Sequence, residues 1–91
     1  SSSDERLKSN IATLTNAVQT VENLRGVSYL RNDKPEIGVI AQELRLVLPE
    51  LVAERQDGYL AVKYDRIVAL LIQSVKELKE EINELKKKHN G

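Results

Sequence analysis

The 91-residue chain has no cysteine, so no disulfide can staple it and no thiolate can serve as nucleophile or metal ligand. Histidine occurs once, at His89, which leaves too few ligands for a metal cage. No metal and no cofactor is therefore expected. Phe, Trp and Met are absent, and the aromatics are three tyrosines, Tyr29, Tyr59 and Tyr64. Any core must be built from Leu, Ile, Val and Ala. Charge of one sign is not in excess either, with 14 Lys and Arg against 14 Asp and Glu. A nucleic-acid or anionic-membrane surface calls for a basic surplus, so neither partner is expected. No apolar run approaches the roughly 20 residues that span a bilayer, and no signal peptide is visible.

These absences narrow how such a chain holds together. A single core of this size is marginal, and the usual aids are disulfides, metals or oligomerisation. With the first two removed, association with copies of the same chain remains.

What is present is punctuated by strong local signals. Leu14, Ala17, Val18, Val21 and Leu24 recur at helical spacing, which predicts a helix over residues 14–24 with Thr13 as N-cap and Gly26 just past its end. Leu7 and Ile11 would continue the same stripe back towards Asp4. GVSYLR reads as a strand with Val27 and Tyr29 on one face and Ser28 and Leu30 on the other. NDKP breaks it. EIGVIA reads as a second strand whose Gly38 marks a bulge or a close backbone approach. Ile37, Val39 and Ile40 are expected to fill the core. AQELRLVLPE predicts a short helix ending near Leu48, because Pro49 disfavours helical geometry in the residue before it. LVAER and YLAVKY flank Asp57-Gly58, the strongest hairpin signal in the chain, with a loop that can exceed two residues.

Asp65 then reads as the cap of a long helix reaching Lys88. Within it Val68, Val75, Ile82 and His89 fall at heptad position a, and Leu71, Leu78 and Leu85 at d. Glu81 at g and Lys86 at the following e have the spacing of an inter-chain ion pair. Beyond Ile72 only the a/d seam is apolar, and a helix with a bare seam wants another helix. Residues 1–66 are thus expected to form a globular part and residues 67–91 a coiled-coil helix. The fold class is α+β: short strands and helices followed by a long C-terminal helix. His89 reads as a frayed polar end, and the Lys86–Lys88 run as charge complementing the helix C-terminus.

Several segments, in order and spacing, resemble one known domain: SDERLK, GVSYL, GVIAQEL, LPELV and KYDRIVALLIQSVKELK. They are similar to the C-terminal intramolecular chaperone domain of phage tailspikes and tail fibres, a self-processing domain also found in endosialidases, neck appendages and the myelin regulatory factor. The resemblance implies a domain that trimerises, brings upstream chains of a fibre into register, and then cuts itself off at its own N-terminal boundary. It implies a homotrimeric coiled coil, the upstream fibre as partner, and a site of action in the host cytoplasm during virion assembly, with the domain absent from the mature fibre. The serine of the family's SD pair falls on Ser3, the lysine five residues on falls on Lys8, and the scissile bond would join Ser2 to Ser3. Ser1 or Ser2 as nucleophile would lengthen the interval to Lys8 to seven or six residues.

The chemistry fits those residue types. A serine hydroxyl needs a base, and lysine is a known alternative to histidine in that role. The lysine must be neutral, which requires burial or a neighbouring cation to lower its pKa. In an extended segment Arg6 would share a face with Lys8 and supply that cation, or orient the cleaved carbonyl. Asp4 would bond backbone N–H groups and fix the turn after Ser3. Asn10, Gln42 or backbone N–H groups are candidate oxyanion donors. Gln42 and Glu43 could also help form the processing site or an inter-subunit contact. Two non-catalytic alternatives stay open: a permanent trimerisation cap, and a coiled-coil adaptor for another protein's helix.

Overall fold

In the computed structural model, which describes residues 2–90, two β-hairpins and two short helices gather around the first half of one long helix. A single 3-10 turn, Glu5–Leu7, comes first. Helix α1 (Ala17–Glu22) leads to the hairpin of β1 (Val27–Arg31) and β2 (Lys34–Gly38). Helix α2 (Ala41–Val47) and a 3-10 turn at Pro49–Leu51 precede the second hairpin, β3 (Val52–Glu54) and β4 (Leu60–Val62). Helix α3 (Tyr64–Asn90) completes the chain. The class is α+β, as the patterning implied.

The two hairpins turn in different ways. β1 and β2 are antiparallel with Arg31 opposite Lys34, so Asn32 and Asp33 alone make the turn. Both adopt left-handed φ, 51° and 63°, the type I′ geometry that matches strand twist and that Asn and Asp tolerate best after Gly. The NDKP stretch is therefore a tight hairpin turn, and β2 begins two residues earlier than the sequence suggests. Pro35 is accommodated because the sheet has only two strands, so every strand is an edge. The Asp57-Gly58 hairpin has the longer loop. The Gly58 N–H donates to the Arg55 carbonyl at 3.0 Å and the Arg55 N–H to the Tyr59 carbonyl at 2.8 Å. Gly58 has φ 87°, which gives a type I turn closed by a left-handed glycine.

The core is small and aliphatic. Leu44, Leu51 and Ile67 are buried, with Leu24, Val39, Leu48, Val52 and Val62 packed on them. Helix α2 ends at Val47 with Leu48 as its non-helical C-cap, as expected before Pro49. Ile37 departs from expectation. It lies opposite Ser28 on the outer face of the first hairpin and is 84 % exposed, so Val39 and Ile40 turn inwards without it.

Helix α1 is shorter than the periodicity predicts. Asn16, with φ 56°, breaks the backbone direction just before Ala17, so Leu14 falls outside the helix. Its far end tightens at Asn23, and Leu24 reaches the core from beyond it. Helix α3 starts one residue before Asp65, whose carboxylate lies inside the first turn and complements the helix dipole instead of capping.

Helix α3 faces two ways. Ile67, Leu70, Gln73, Ser74 and Glu77, at steps of three and four, are the buried and half-buried positions that meet the rest of the chain. The Ser74 hydroxyl donates to the Leu70 carbonyl at 2.9 Å, so its burial leaves no polar group unpaired. Val68, Leu71, Val75, Leu78, Ile82 and Leu85 all point away from this contact, each between 45 % and 66 % exposed.

Candidate functional site

The segment singled out by the sequence folds into one hydrogen-bonded turn. Asp4 has an extended backbone, and its Oδ1 accepts from the Arg6 N–H at 2.9 Å, an N-cap for the 3-10 turn. The Leu7 N–H donates to the Asp4 carbonyl and the Lys8 N–H to the Glu5 carbonyl, both at 3.0 Å. Ser3 thus precedes the cap, and Lys8 closes the turn at its other end. Asp4 fixes the turn after Ser3, as its residue type implied. A 3-10 turn rises about 2 Å per residue against about 3.3 Å in a strand, so it shortens the path from Ser3 to Lys8. No hydrogen bond joins the two side chains among the described residues, and both are exposed. Ser1, the alternative nucleophile, lies outside the described residues. Ser2 is exposed.

Arg6 does not take the place expected of it. Its Nη2 lies 2.7 Å from Asp4 Oδ2 and its Nε 3.1 Å from Asp4 Oδ1. The guanidinium holds the Asp4 carboxyl below the usual carboxylate range, helped by the Arg6 backbone N–H, and Asp4 in turn raises Arg6. In the single protomer the guanidinium is thus engaged by Asp4 on the surface, not by Lys8. The turn also replaces the extended segment on which their common face depended. Neither proposed oxyanion side chain is bonded to this turn among the described residues. Asn10 is exposed in a left-handed conformation with φ 53°. Gln42 borders an open cavity of about 470 Å³ between the hairpins, together with Tyr29, Arg31, Arg55, Tyr59 and Tyr64. Glu43 forms a paired bond with Arg25, at 2.6 Å and 3.1 Å, which ties α2 to the linker after α1. That bond holds the Glu43 carboxyl below its usual value.

Residues 2–16 are exposed throughout, and the chain gains its first buried side chain at Ala17. There the Glu77 carboxylate of α3 reaches α1. Its Oε2 accepts from the Ala17 N–H at 3.0 Å and its Oε1 from the Val18 N–H at 3.1 Å. Sequence reasoning missed this contact, because its partners stand 60 residues apart and Glu77 reads as one more solvated charge on a polar face.

Two further features shape the surface. The space over Gly38 is filled by Tyr64: a Cβ there would lie 2.5 Å from the tyrosine oxygen, which also accepts from the Val39 N–H at 3.2 Å. This is the close backbone approach that a glycine inside a strand suggested. Beside it runs an apolar groove of about 590 Å³, bordered by Val27, Ile37, Val39, Ile67 and Leu71. Leu71 belongs to the a/d seam, so groove and seam are continuous. Among the described residues no cluster of metal-ligating side chains occurs, and no helix is long and apolar enough to cross a membrane.

Comparison with known proteins bears on this arrangement. Residues 3–53 match a peptidase family described as the chaperone of endosialidase. The long tail fiber protein Gp37 of Enterobacteria phage K3 is 39 % identical over 97 residues, covering 94 % of this chain and 8 % of the relative. Gp37 of Enterobacteria phage T2 is also 39 % identical over 97 residues, covering 94 % of this chain and 7 % of that protein. Gp37 of Salmonella phage S16 is 36 % identical over 99 residues, covering 94 % of this chain and 13 % of that protein. The chain therefore spans only a small fraction of the length of these fibre proteins. With more than half of its residues inside the matched region, the chain belongs to the chaperone of endosialidase family.

Proposed function

We propose that this domain is an intramolecular chaperone of a phage fibre: it trimerises, holds three upstream chains in register, and releases itself by cutting before Ser3. The observation that carries the assembly half is the outward a/d seam of α3. Six apolar side chains stand half uncovered on the face that its own globular part leaves free. Covering what remains of each gains roughly 1 kcal/mol, against an association cost of about 4–15 kcal/mol. The seam alone is close to break-even. The adjoining groove, with Ile37 at its rim, supplies the additional apolar surface a trimer would cover. On this reading residues 1–66 carry folding and processing, and residues 67–91 carry trimerisation.

For the processing half, the support is family membership together with the position of Ser3 and Lys8 at the two ends of one turn. The Ser3 hydroxyl attacks the Ser2 carbonyl carbon, and Lys8 Nζ takes the hydroxyl proton. The new C–O bond forms as the Ser2–Ser3 C–N bond breaks, and Lys8 returns the proton to the departing Ser3 amine. Water then hydrolyses the ester and frees the Ser2 carboxylate. A lysine base must be shielded from water, and Lys8 is exposed in the single protomer. Assembly is what would enclose it, so cleavage follows trimerisation. Both events belong in the host cytoplasm during virion assembly, after which the domain leaves the fibre.

The permanent trimerisation cap is favoured by one specific observation, the exposure of Lys8 together with the engagement of Arg6 by Asp4. Mass spectrometry of a chain carrying its upstream segment separates the readings. Self-processing gives a product beginning at Ser3, and Ser3→Ala or Lys8→Ala each leave the chain intact. A permanent cap leaves the unsubstituted chain intact as well.

A further inference from the structure

We infer that Glu77 is a positioning residue for self-processing: it pins the segment bearing Ser3 and Lys8 to the helix that assembles the trimer. The inference rests on the processing reading above.

The geometry is specific. Both oxygens of one carboxylate accept from the first two N–H groups of α1, at 3.0 and 3.1 Å. These donors have no partner within their own helix. Asn16 stands at the N-cap position but adopts the left-handed conformation, and its side chain makes no capping bond. The cap that α1 lacks locally is supplied from α3. Ala17 is completely buried and Ser74, one turn before Glu77, is 4 % exposed, small residues on the two helices that pack together. N-terminal to this point no described residue is buried, so the Glu77 bond is where the chain leading from the processing segment first joins the folded body.

Position along α3 gives the contact its meaning. Glu77 lies between Val75 and Leu78 in sequence but on the opposite side of the helix from the a/d seam. It takes no part in the apolar ridge that would join the protomers. The same two turns of helix therefore present the seam outward and hold α1 inward. Eight exposed residues, 9–16, join Lys8 to α1, so α1 is the nearest folded anchor of the turn. Helix α1 is too short to persist alone in water. Without its cap it loosens, and the Ser3–Lys8 turn loses its nearest anchor to the helix that carries the enclosing interface.

The test uses the chain with its upstream segment, as Glu77→Ala, Glu77→Gln and the unsubstituted form. Three quantities are read: oligomer mass by sedimentation, amide exchange at Ala17 and Val18, and the first-order rate of self-cleavage well below the unfolding temperature. Glu77→Ala is expected to keep the oligomer mass, speed exchange at both amides at least tenfold, and slow cleavage at least tenfold. Glu77→Gln keeps one of the two acceptors and is expected to recover part of both. A role confined to stability would lower the unfolding midpoint of the alanine variant without slowing cleavage at the lower temperature, and that result overturns the inference. Unchanged exchange at Ala17 and Val18 overturns it too, by showing that the bond is not made in solution. If the unsubstituted chain never cuts itself, the processing reading falls and takes the inference with it, and accelerated exchange in Glu77→Ala would still mark the bond as present.

Discussion

The two faces of α3 obey opposite rules although they share one backbone. Its inner face carries Ile67, Leu70, Gln73, Ser74 and Glu77, three of them polar, and the Ser74 hydroxyl and Glu77 carboxylate both have partners. Its outer face carries Val68, Leu71, Val75, Leu78, Ile82 and Leu85, and all of them are substantially exposed. A monomer optimised for its own stability would place the aliphatic ridge inward and the serine and glutamate outward. This chain does the reverse over the stretch from Ser74 to Glu77. The difference teaches that the globular part packs against a helix whose longest apolar ridge it leaves uncovered, as the proposed trimer requires. Aliphatic packing of Ile67 holds the start of the inner contact, and the Glu77 hydrogen bonds to α1 hold it further along.

Several substitutions break or sharpen that contrast. The largest effect is expected from replacing Leu71, Leu78 and Leu85 together by Ser, which removes every d position of the outer face. Sedimentation should then show a single chain, and cleavage of the upstream segment should stop. Circular dichroism of the part around Leu44 should persist. On the inner side, Leu44→Ala empties the centre of the core, where Leu44 is 2 % exposed. It should cost about 2–5 kcal/mol in denaturant unfolding, measured at a protomer concentration held constant because assembly shifts apparent stability.

A smaller effect, about 1–3 kcal/mol, is expected of Gly38→Ala, because the added Cβ meets the Tyr64 oxygen. Adding Tyr64→Phe removes that oxygen, so the double variant should recover part of the loss in the same unfolding experiment. Equal losses with and without the oxygen would place the strain elsewhere. Smallest is the pH response of the Arg25–Glu43 pair. Glu43 has a lowered carboxyl pKa in the folded chain, so the unfolded chain binds its proton first as pH falls. Its contribution is whole above the ordinary glutamate range and is lost as pH drops through the lowered folded value. The stability gap between the native chain and Glu43→Gln should therefore be constant near neutrality and close only in acid. Because the pair is exposed, the gap itself should be small.

How much of this was legible in the residues depended on how local each cause is. Pro49 stopped α2 and Gly38 announced a close approach, since both act through their own backbone. The heptad of α3 was readable because periodicity on one helix needs no knowledge of the rest. The start of α1 was not, because Asn16 turns left-handed and the cap comes from Glu77, 60 residues away. The NDKP turn was masked by its proline, which signals a break where a two-strand sheet tolerates it. Ser3 and Lys8 were named by resemblance and by the need for a base. The Asp4–Arg6 bond is an (i, i+2) contact that competes with any role of Arg6 beside Lys8, and residue types alone do not say which partner Arg6 takes.

The central claim is that the outer face of α3 joins three copies of this chain. Sedimentation equilibrium of the unsubstituted chain, over a wide range of concentration, tests it most directly. The account predicts a particle of three times the mass of one chain, reverting to a single chain when Leu71, Leu78 and Leu85 are replaced. A single-chain mass at every concentration, with the outer face still exposed, would contradict it.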